Sequence, residues 1–332
     1  MARVNIREAK EADAKKIFEL MQQQATEQNT FLPSHFTHEV LADGTWGPTA
    51  VVMAFVAESK ASQVGELDGY ILAHRAYAPW FGRALYIKDL YVVPAARRSG
   101  VATHLCRELM RAAVSMGCNQ CDLRLHKENW AAMDLFEKLG AENVTVSEDW
   151  HIFNLDFKLM EMKSKYGGRG RLQIRLAVPE DMAGVMTMIQ ELADYENMSD
   201  APQINAHTLV TDSPPQGTFF ECFVAESDGA LVGYAMFYPT FSHRGFGMCL
   251  EDFYVKPAHR GQGLGTAFMA QIAQHGVKLG GSHFEFVVLS WNTPTIAFYK
   301  NKGATDLTVD KGVQLYRFDD TAMRKCASAI TH

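Results

Sequence analysis

Apolar positions in the second half of the chain keep two rhythms. Met182, Val185, Met186, Ile189 and Leu192 recur at helical spacing, and Pro179-Glu180-Asp181 ahead of them gives the proline and acids of a first turn. A short strand at 173–176 precedes that helix, and a second helical piece follows it. Residues 220–227 and 231–240 read as strands, with Asp228-Gly229 between them as a hairpin turn. The apolar run 253–255 stops at Pro257, glycines follow at 261, 263 and 265, and a helical pattern starts at Thr266. Phe284 and Phe286 flank Glu285 in a strand at 283–289. A helix over 293–302 has Gly303 as its cap, and a strand at 314–318 closes the unit. The expected order is β-α-α-β-β-β-α-β-α-β.

The pattern occurs twice. Asp89-Leu90-Tyr91-Val92-Val93-Pro94-Ala95 matches Asp252-Phe253-Tyr254-Val255-Lys256-Pro257-Ala258 at an offset of 163 (252 − 89). The same offset carries Arg97 to Arg260, Gly100 to Gly263, Asn129 to Asn292 and Gly140-Ala141 to Gly303-Ala304. Further upstream, Phe55-Val56-Ala57-Glu58 matches Phe223-Val224-Ala225-Glu226, and Ile6-Arg7 matches Ile174-Arg175, both at 168. A gapless offset over about fifty residues marks two copies of one domain. The expected division is residues 1–158, a joint at 159–171 and residues 172–332, the joint reading as exposed and flexible from its glycines, lysines and arginines.

Bulk properties narrow the classes. The chain has 332 residues, 47% apolar and 21% charged, with a net charge of −6. That charge argues against nucleic acid and leans towards cationic partners. No apolar run is long enough for a membrane span, and the polar start does not resemble a targeting peptide. Six cysteines in a chain this long make no disulfide framework, so a reducing, cytoplasmic setting is expected. Cys118 and Cys121 form one CxxC without a second pair, which reads as structural thiols rather than a metal site; no metal is expected.

The glycine loop carries the chemistry. Strand, glycines and helix start aim several backbone N–H groups at one point, where the helix adds partial positive charge. A phosphate or pyrophosphate fits. Leu264-Gly265-Thr266 lacks the lysine of a nucleotide P-loop, and G-x-G-x-G is not the dinucleotide spacing. Arg260, Gly263 and Gly265 instead fit an Arg/Gln-x-x-Gly-x-Gly/Ala pattern, which resembles the acetyl-CoA loop of the GNAT N-acetyltransferases. Copy two resembles in particular the diamine (spermidine/spermine) acetyltransferases. Residues that carry this include Ile174-Arg175, Glu191-Leu192-Ala193, Tyr195-Glu196, Leu250-Glu251-Asp252-Phe253, Trp291-Asn292-x-Pro294 and Phe298-Tyr299-Lys300. The fold class implied is α/β (α+β): two tandem GNAT domains, each a mixed, mainly antiparallel twisted sheet flanked by helices.

Amine acetylation needs a group that takes the amine proton and one that returns a proton to the departing thiolate. A tyrosine, protonated at neutral pH, can donate to sulfur. The resemblance assigns Tyr299 as that acid and Glu251 as the base. It assigns acetyl-CoA, the cosubstrate, to the backbone of Phe253, Tyr254 and Val255, to the loop Arg260, Gly261, Gln262, Gly263, Leu264, Gly265 and Thr266, and to Asn292. Tyr195, Glu196, Asp194, Asp200 and Asp252 are candidates for an ammonium group.

Two departures from the family concern the acceptor. Ser242-His243 stands where a Pro-Trp pair is expected, and Asp310-Lys311-Gly312-Val313 where an acidic pair and a tryptophan are expected. Arg244 and Lys311 would repel a long polyamine if both faced the site. Copy one keeps Pro79-Trp80-Phe81-Gly82 but has Phe136 for Tyr299 and Lys88 for Glu251, so it reads as degenerate. Its loop Arg97, Arg98, Ser99, Gly100, Val101 and Ala102 retains the acetyl-CoA pattern. Trp80 is expected to serve the fold or the interface between copies, which would pack as an intramolecular pseudo-dimer. The expected function is acetyl transfer to a small primary amine (diamine, polyamine-like or lysine-like) by copy two. An arylalkylamine acceptor, or a non-catalytic acetyl-CoA-binding or partner-binding module, is the alternative.

Overall fold

The computed structural model describes residues 5–48, 50–58, 66–161 and 172–329. The first half runs β1 (Asn5–Glu8), α1 (Ala14–Glu27), α2 (His38–Trp46), β2 (Val52–Glu58), β3 (Leu67–Ala78), β4 (Gly82–Val92), α3 (Val101–Ser115), β5 (Gln120–His126), α4 (Trp130–Leu139), β6 (Glu142–Asn143), α5 (Val144–Ser147), β7 (Trp150–Asp156) and α6 (Lys158–Glu161). The second half repeats it as β8 (Gln173–Leu176), α7 (Met182–Tyr195), α8 (Ala206–Asp212), β9 (Glu221–Ser227), β10 (Ala230–Ser242), β11 (Gly245–Val255), α9 (Leu264–Lys278), β12 (His283–Leu289), α10 (Thr293–Lys300), β13 (Thr305–Asp306), α11 (Leu307–Lys311), β14 (Val313–Phe318) and α12 (Asp320–Ser328). Among the described residues, no helix is long and apolar enough to cross a membrane.

The expected hairpin is present: Asp228 and Gly229 take φ of 51° and 80°, the left-handed pair that a two-residue turn requires. The expectation that 314–318 closes its own copy is overturned. The two seven-stranded sheets run β1-β2-β3-β4-β5-β14-β6 and β8-β9-β10-β11-β12-β7-β13. Each half's last long strand therefore lies in the other half's sheet. β7 pairs antiparallel with β12 from His283↔Asp156 to Leu289↔Trp150, and β14 pairs with β5 from Val313↔His126 to Phe318↔Cys121.

Alternating apolar residues lock the exchange. Phe153 and Leu155 of β7, and Phe157 directly after it, are buried in the second half's core. Phe153 stacks on Phe286 at 5.6 Å, and Phe157 meets Phe284 edge-on at 4.7 Å. Each such side chain contributes roughly 1.5–3 kcal/mol of burial. Tyr316 and Phe318 of β14 do the same in the first half. The joint also differs from expectation where it is described: Lys158–Glu161 is helical and Met160 is fully buried. Phe157 and Leu159 on either side pack near Gly276 and Gly303, which anchors this stretch on the second half. The rest of the expected joint, 162–171, lies outside the described residues. Cys118 and Cys121 are buried thiols.

Candidate active site

β11 and β12 pair in parallel at only two positions, Met248↔Phe284 and Cys249↔Glu285, and then diverge. A cavity of about 480 Å³ fills the opening. One wall is the β11 stretch from Leu250 to Val255, and the other is Val287, Val288 and Leu289 with Asn292, Phe298 and Tyr299 from the β12–α10 region. The glycine loop closes one end: Arg260, Gly261, Gly263, Leu264, Gly265 and Thr266 all line the cavity. Gly261 and Gly263 have φ of 74° and 86°, which side-chain-bearing residues rarely adopt. Arg260 steadies the loop by donating from Nε to the Val255 carbonyl at 2.8 Å, with its guanidinium over the rings of Tyr195 and Tyr254. The first N–H groups of α9 lack helical partners, so with the loop they can hold a pyrophosphate.

Two expected loop and cap residues behave more modestly. The Gln262 side chain turns back onto the Ala258 carbonyl at 3.2 Å. Asn292 lines the cavity, but its side chain caps α10 by accepting from the Thr295 N–H.

At the other end stand the titrating groups. A register shift between Met236 and Phe237 leaves Glu251 as the extra residue of a β-bulge in β11. The Tyr238 hydroxyl donates to it at 3.2 Å. Burial, with Asp122 and Asp252 nearby, pushes the Glu251 carboxyl up to about 8. Burial and Asp252 push Glu196 to about 8 as well. Burial also raises Asp252, to about 6, against the hydrogen bond it accepts from Tyr234. Tyr299 is 4% exposed against Phe286, its ring centroids 4.2 Å apart, and burial holds its hydroxyl protonated far above neutrality. Tyr195 lines the mouth, 5.9 Å from Trp291. Asp194 and Asp200 are not among the lining residues.

The remaining wall comes from the first half. Ala78, Pro79, Trp80, Phe81 and Gln120 line the cavity, and so does Trp150, carried in by β7. The expectation that Trp80 serves only fold or interface is thereby corrected: it faces the cavity. The two departures from the family concern positions whose first-half counterparts approach this cavity. Pro79, Trp80 and Trp150 of the first half line the cavity, whereas Glu148 and Asp149 do not: Glu148 accepts from Trp150 Nε1 at 2.9 Å and Asp149 from the Ser290 hydroxyl. His243 does not line this cavity, and Arg244 bonds Asn154 and Asp156 instead. Lys311 does not line it either. Arg317 does, held by a bidentate pair with Asp122 at 3.0 and 3.1 Å. Sequence reading missed Gln120, Trp150 and Arg317. The one available signal was that copy one kept what copy two had lost.

The first half's own loop is built alike but differs in detail. Arg97 donates to the Val92 carbonyl at 2.9 Å and pairs with Glu27. Arg98 stands at φ 62° where copy two has Gly261, Ser99 bonds the Ala96 carbonyl, and Gly100 has φ 89°. Val101 and Ala102 begin α3, with Val101 buried. Phe136 is buried in the core, 6.3 Å from Phe318.

A family model, the Acetyltransferase (GNAT) family, matches residues 15–141 and 188–304. The chain belongs to that family and is an acetyl-CoA-dependent N-acetyltransferase. Thialysine N-epsilon-acetyltransferase of Sus scrofa is 38% identical over 163 residues, which is 46% of this chain and 96% of that protein. Spermidine/spermine N(1)-acetyltransferase-like protein 1 of Homo sapiens is 36% identical over 155 residues, 44% of this chain and 22% of that one. L-ornithine N5-acetyltransferase of Arabidopsis thaliana is 30% identical over 117 residues, 33% of this chain and 50% of that one. The structure of a tandem GNAT protein from the clavulanic acid biosynthesis pathway shares the fold over 96% of this chain and 99% of its own, with TM-score 0.54 and 16% identity.

Proposed function

We propose that the cavity between β11 and β12 transfers the acetyl group of acetyl-CoA to the side-chain amine of a small, lysine-like amino acid. The observation that carries the reading is the composition of the cavity: the pyrophosphate loop at one end, Glu251 and Tyr299 beside the strand opening, and acceptor walls from both halves. The pantetheine arm adds as a strand along Phe253, Tyr254 and Val255. Glu251, poised near 8, takes the proton of the incoming ammonium. The free amine attacks the thioester carbonyl, the tetrahedral intermediate collapses with cleavage of the C–S bond, Tyr299 gives its proton to the coenzyme A thiolate, and the second proton of the new amide nitrogen passes to the tyrosinate.

An amino acid is favoured over a long polyamine by what surrounds the carboxylates. Glu196, Glu251 and Asp252 suit one ammonium group. Trp80 Nε1 is buried without a hydrogen-bond partner among the described residues, and Arg317 lines the same cavity. An indole N–H and a guanidinium suit the oxygens of an α-carboxylate. The names of the relatives from Sus scrofa and Arabidopsis thaliana, for thialysine and ornithine, support the same class. The first half retains the loop pattern but has lost both reacting side chains. The test is thiol release from acetyl-CoA across lysine, thialysine, ornithine, putrescine and spermidine. The amino acids should give the higher kcat/KM; a preference for spermidine would overturn the acceptor class, and no turnover on any amine would overturn catalysis.

A further inference from the structure

A second cavity, of about 300 Å³, is the first half's counterpart of the acceptor end of the site. α1 lines it with Met21, Gln24 and Ala25 and its C-cap Gln28, as α7 lines the other with Leu192 and Tyr195 and its C-cap Glu196. Phe241, Ser242 and His243 reach into it from the second half, just as Pro79, Trp80 and Phe81 reach the other way. No residue of the 97–102 loop lines it, so it has an acceptor end and no donor end.

Its polarity is inverted. The carboxylate of Asp89 is spent internally: Oδ1 accepts from Gln24 Nε2 and Leu90 N at 2.9 Å each, and Oδ2 from the Tyr70 hydroxyl at 2.7 Å. Lys88 occupies the bulge position that Glu251 holds in the other strand. Among the described residues its ammonium gives one hydrogen bond, at 3.2 Å to Glu285 Oε1. Glu285 is bonded in addition by Arg124 at 2.7 Å, so it does not depend on Lys88 alone. Ser242 Oγ accepts from the Arg244 N–H at 3.1 Å, which leaves its hydroxyl proton to donate. His243 offers a ring N–H in either charge state. Phe31, which lines the cavity while 93% exposed, joins Leu72 and Phe241 as its apolar wall.

From this arrangement we infer that the cavity binds a small carboxylic acid with an apolar body, its carboxylate on Lys88, Ser242 and His243 and its body against Phe31 and Phe241. One ammonium and apolar walls suit a single charge better than a phosphate dianion, and a cavity of this size suits a small ligand. The chain then carries two cavities of opposite taste, one receiving an amine and the other an acid.

Calorimetry on the full chain tests this with phenylacetate and hexanoate as probes and hexylamine and inorganic phosphate as controls. The carboxylates should bind and the controls should not. Lys88→Met should weaken them by about tenfold or more, the scale for losing a charge-assisted hydrogen bond, with acetyl-CoA affinity unchanged. Thr30→Trp, an exposed lining position, should block the cavity without touching the Glu285 cluster. Loss of carboxylate binding in either folded variant supports the site. The inference fails if neither carboxylate binds, if hexylamine or phosphate binds more tightly, or if both variants keep wild-type affinity. Thiol release is measured separately, so this outcome and that of the acetyltransferase reading stay distinct.

Discussion

Leu289 and Trp150 face each other in register across β12 and β7, although they belong to different repeats. Both line the acceptor cavity. The walls of one cavity are therefore drawn from two halves of the chain.

Trp80→Ala and Trp150→Ala alter the first half but should damage the second half's reaction. We expect KM for the amine to rise by about tenfold with acetyl-CoA affinity unchanged, the mark of lost acceptor binding. Steady-state kinetics with calorimetry for acetyl-CoA measures both. Residues 172–332 expressed alone lack both tryptophans and β7, and should be inactive or self-associate; a stable, active monomer would contradict the shared site.

Tyr299→Phe removes only a hydroxyl from a ring already packed against Phe286 at 4.2 Å. The fold should be unaffected and kcat should fall on the order of 10²-fold, as for loss of a general acid. Wild-type turnover on the best amine would make Tyr299 a packing residue and leave thiolate protonation to water.

At Gly265 an added Cβ would sit 3.1 Å from Phe253 and 3.2 Å from Phe298. Gly265→Val should thus push both rings and narrow the arm's channel, weakening acetyl-CoA at least about tenfold. Gly263→Glu should abolish binding by placing a charge in the loop, with the first half's loop also blocked so that only one site is read. Unchanged calorimetric affinity would remove the loop from the site.

Glu196 ordinarily titrates at 4.5 and is pushed to about 8 by burial and then by Asp252. Between those values the folded state binds more protons than the unfolded one. Its protonation favours the fold fully below 4.5, and that contribution is lost as pH rises through about 8. Glu196→Gln should therefore melt higher than wild type at pH 9, by roughly a few degrees, and much like it at pH 4. A melting difference that does not grow with pH would show that Glu196 ionises freely.

Lys88→Glu, the change that would restore a base to the first half, should instead destabilise the chain. It would set a new carboxylate beside Glu285, with Arg124 left to face both. A loss of about 2–4 kcal/mol in chemical denaturation is expected, against a smaller loss for Lys88→Met. Equal stability of the two variants would show that the Lys88 ammonium is not engaged at Glu285.

The repeat, the glycine loop and most strands were legible because each is written in adjacent residues. Asp228-Gly229 names its own turn, and Arg260, Gly263 and Gly265 name their own loop. The exchange of β7 and β14 was not. Both strands carry the same alternation and would fit either sheet, so nothing local says which edge each one joins. The bulges at Lys88 and Glu251 were equally hidden, because one extra residue leaves the apolar pattern intact. Trp80 and Trp150 were visible as residues, but their site was not, since it follows from the exchange.

The exchange also sets a timetable for synthesis. Arg317 of β14 reaches Asp122 of β5 across 195 positions. With translation adding about 5–20 residues per second, β5 waits on the order of ten to forty seconds for its neighbour. During that interval the nascent first half presents an unpaired strand edge, the surface most prone to pairing with another chain. The second sheet lacks a strand until residue 306 has been made and the first until residue 318, so both close late in translation, and a ribosome stalled between the repeats holds an open sheet rather than a finished domain.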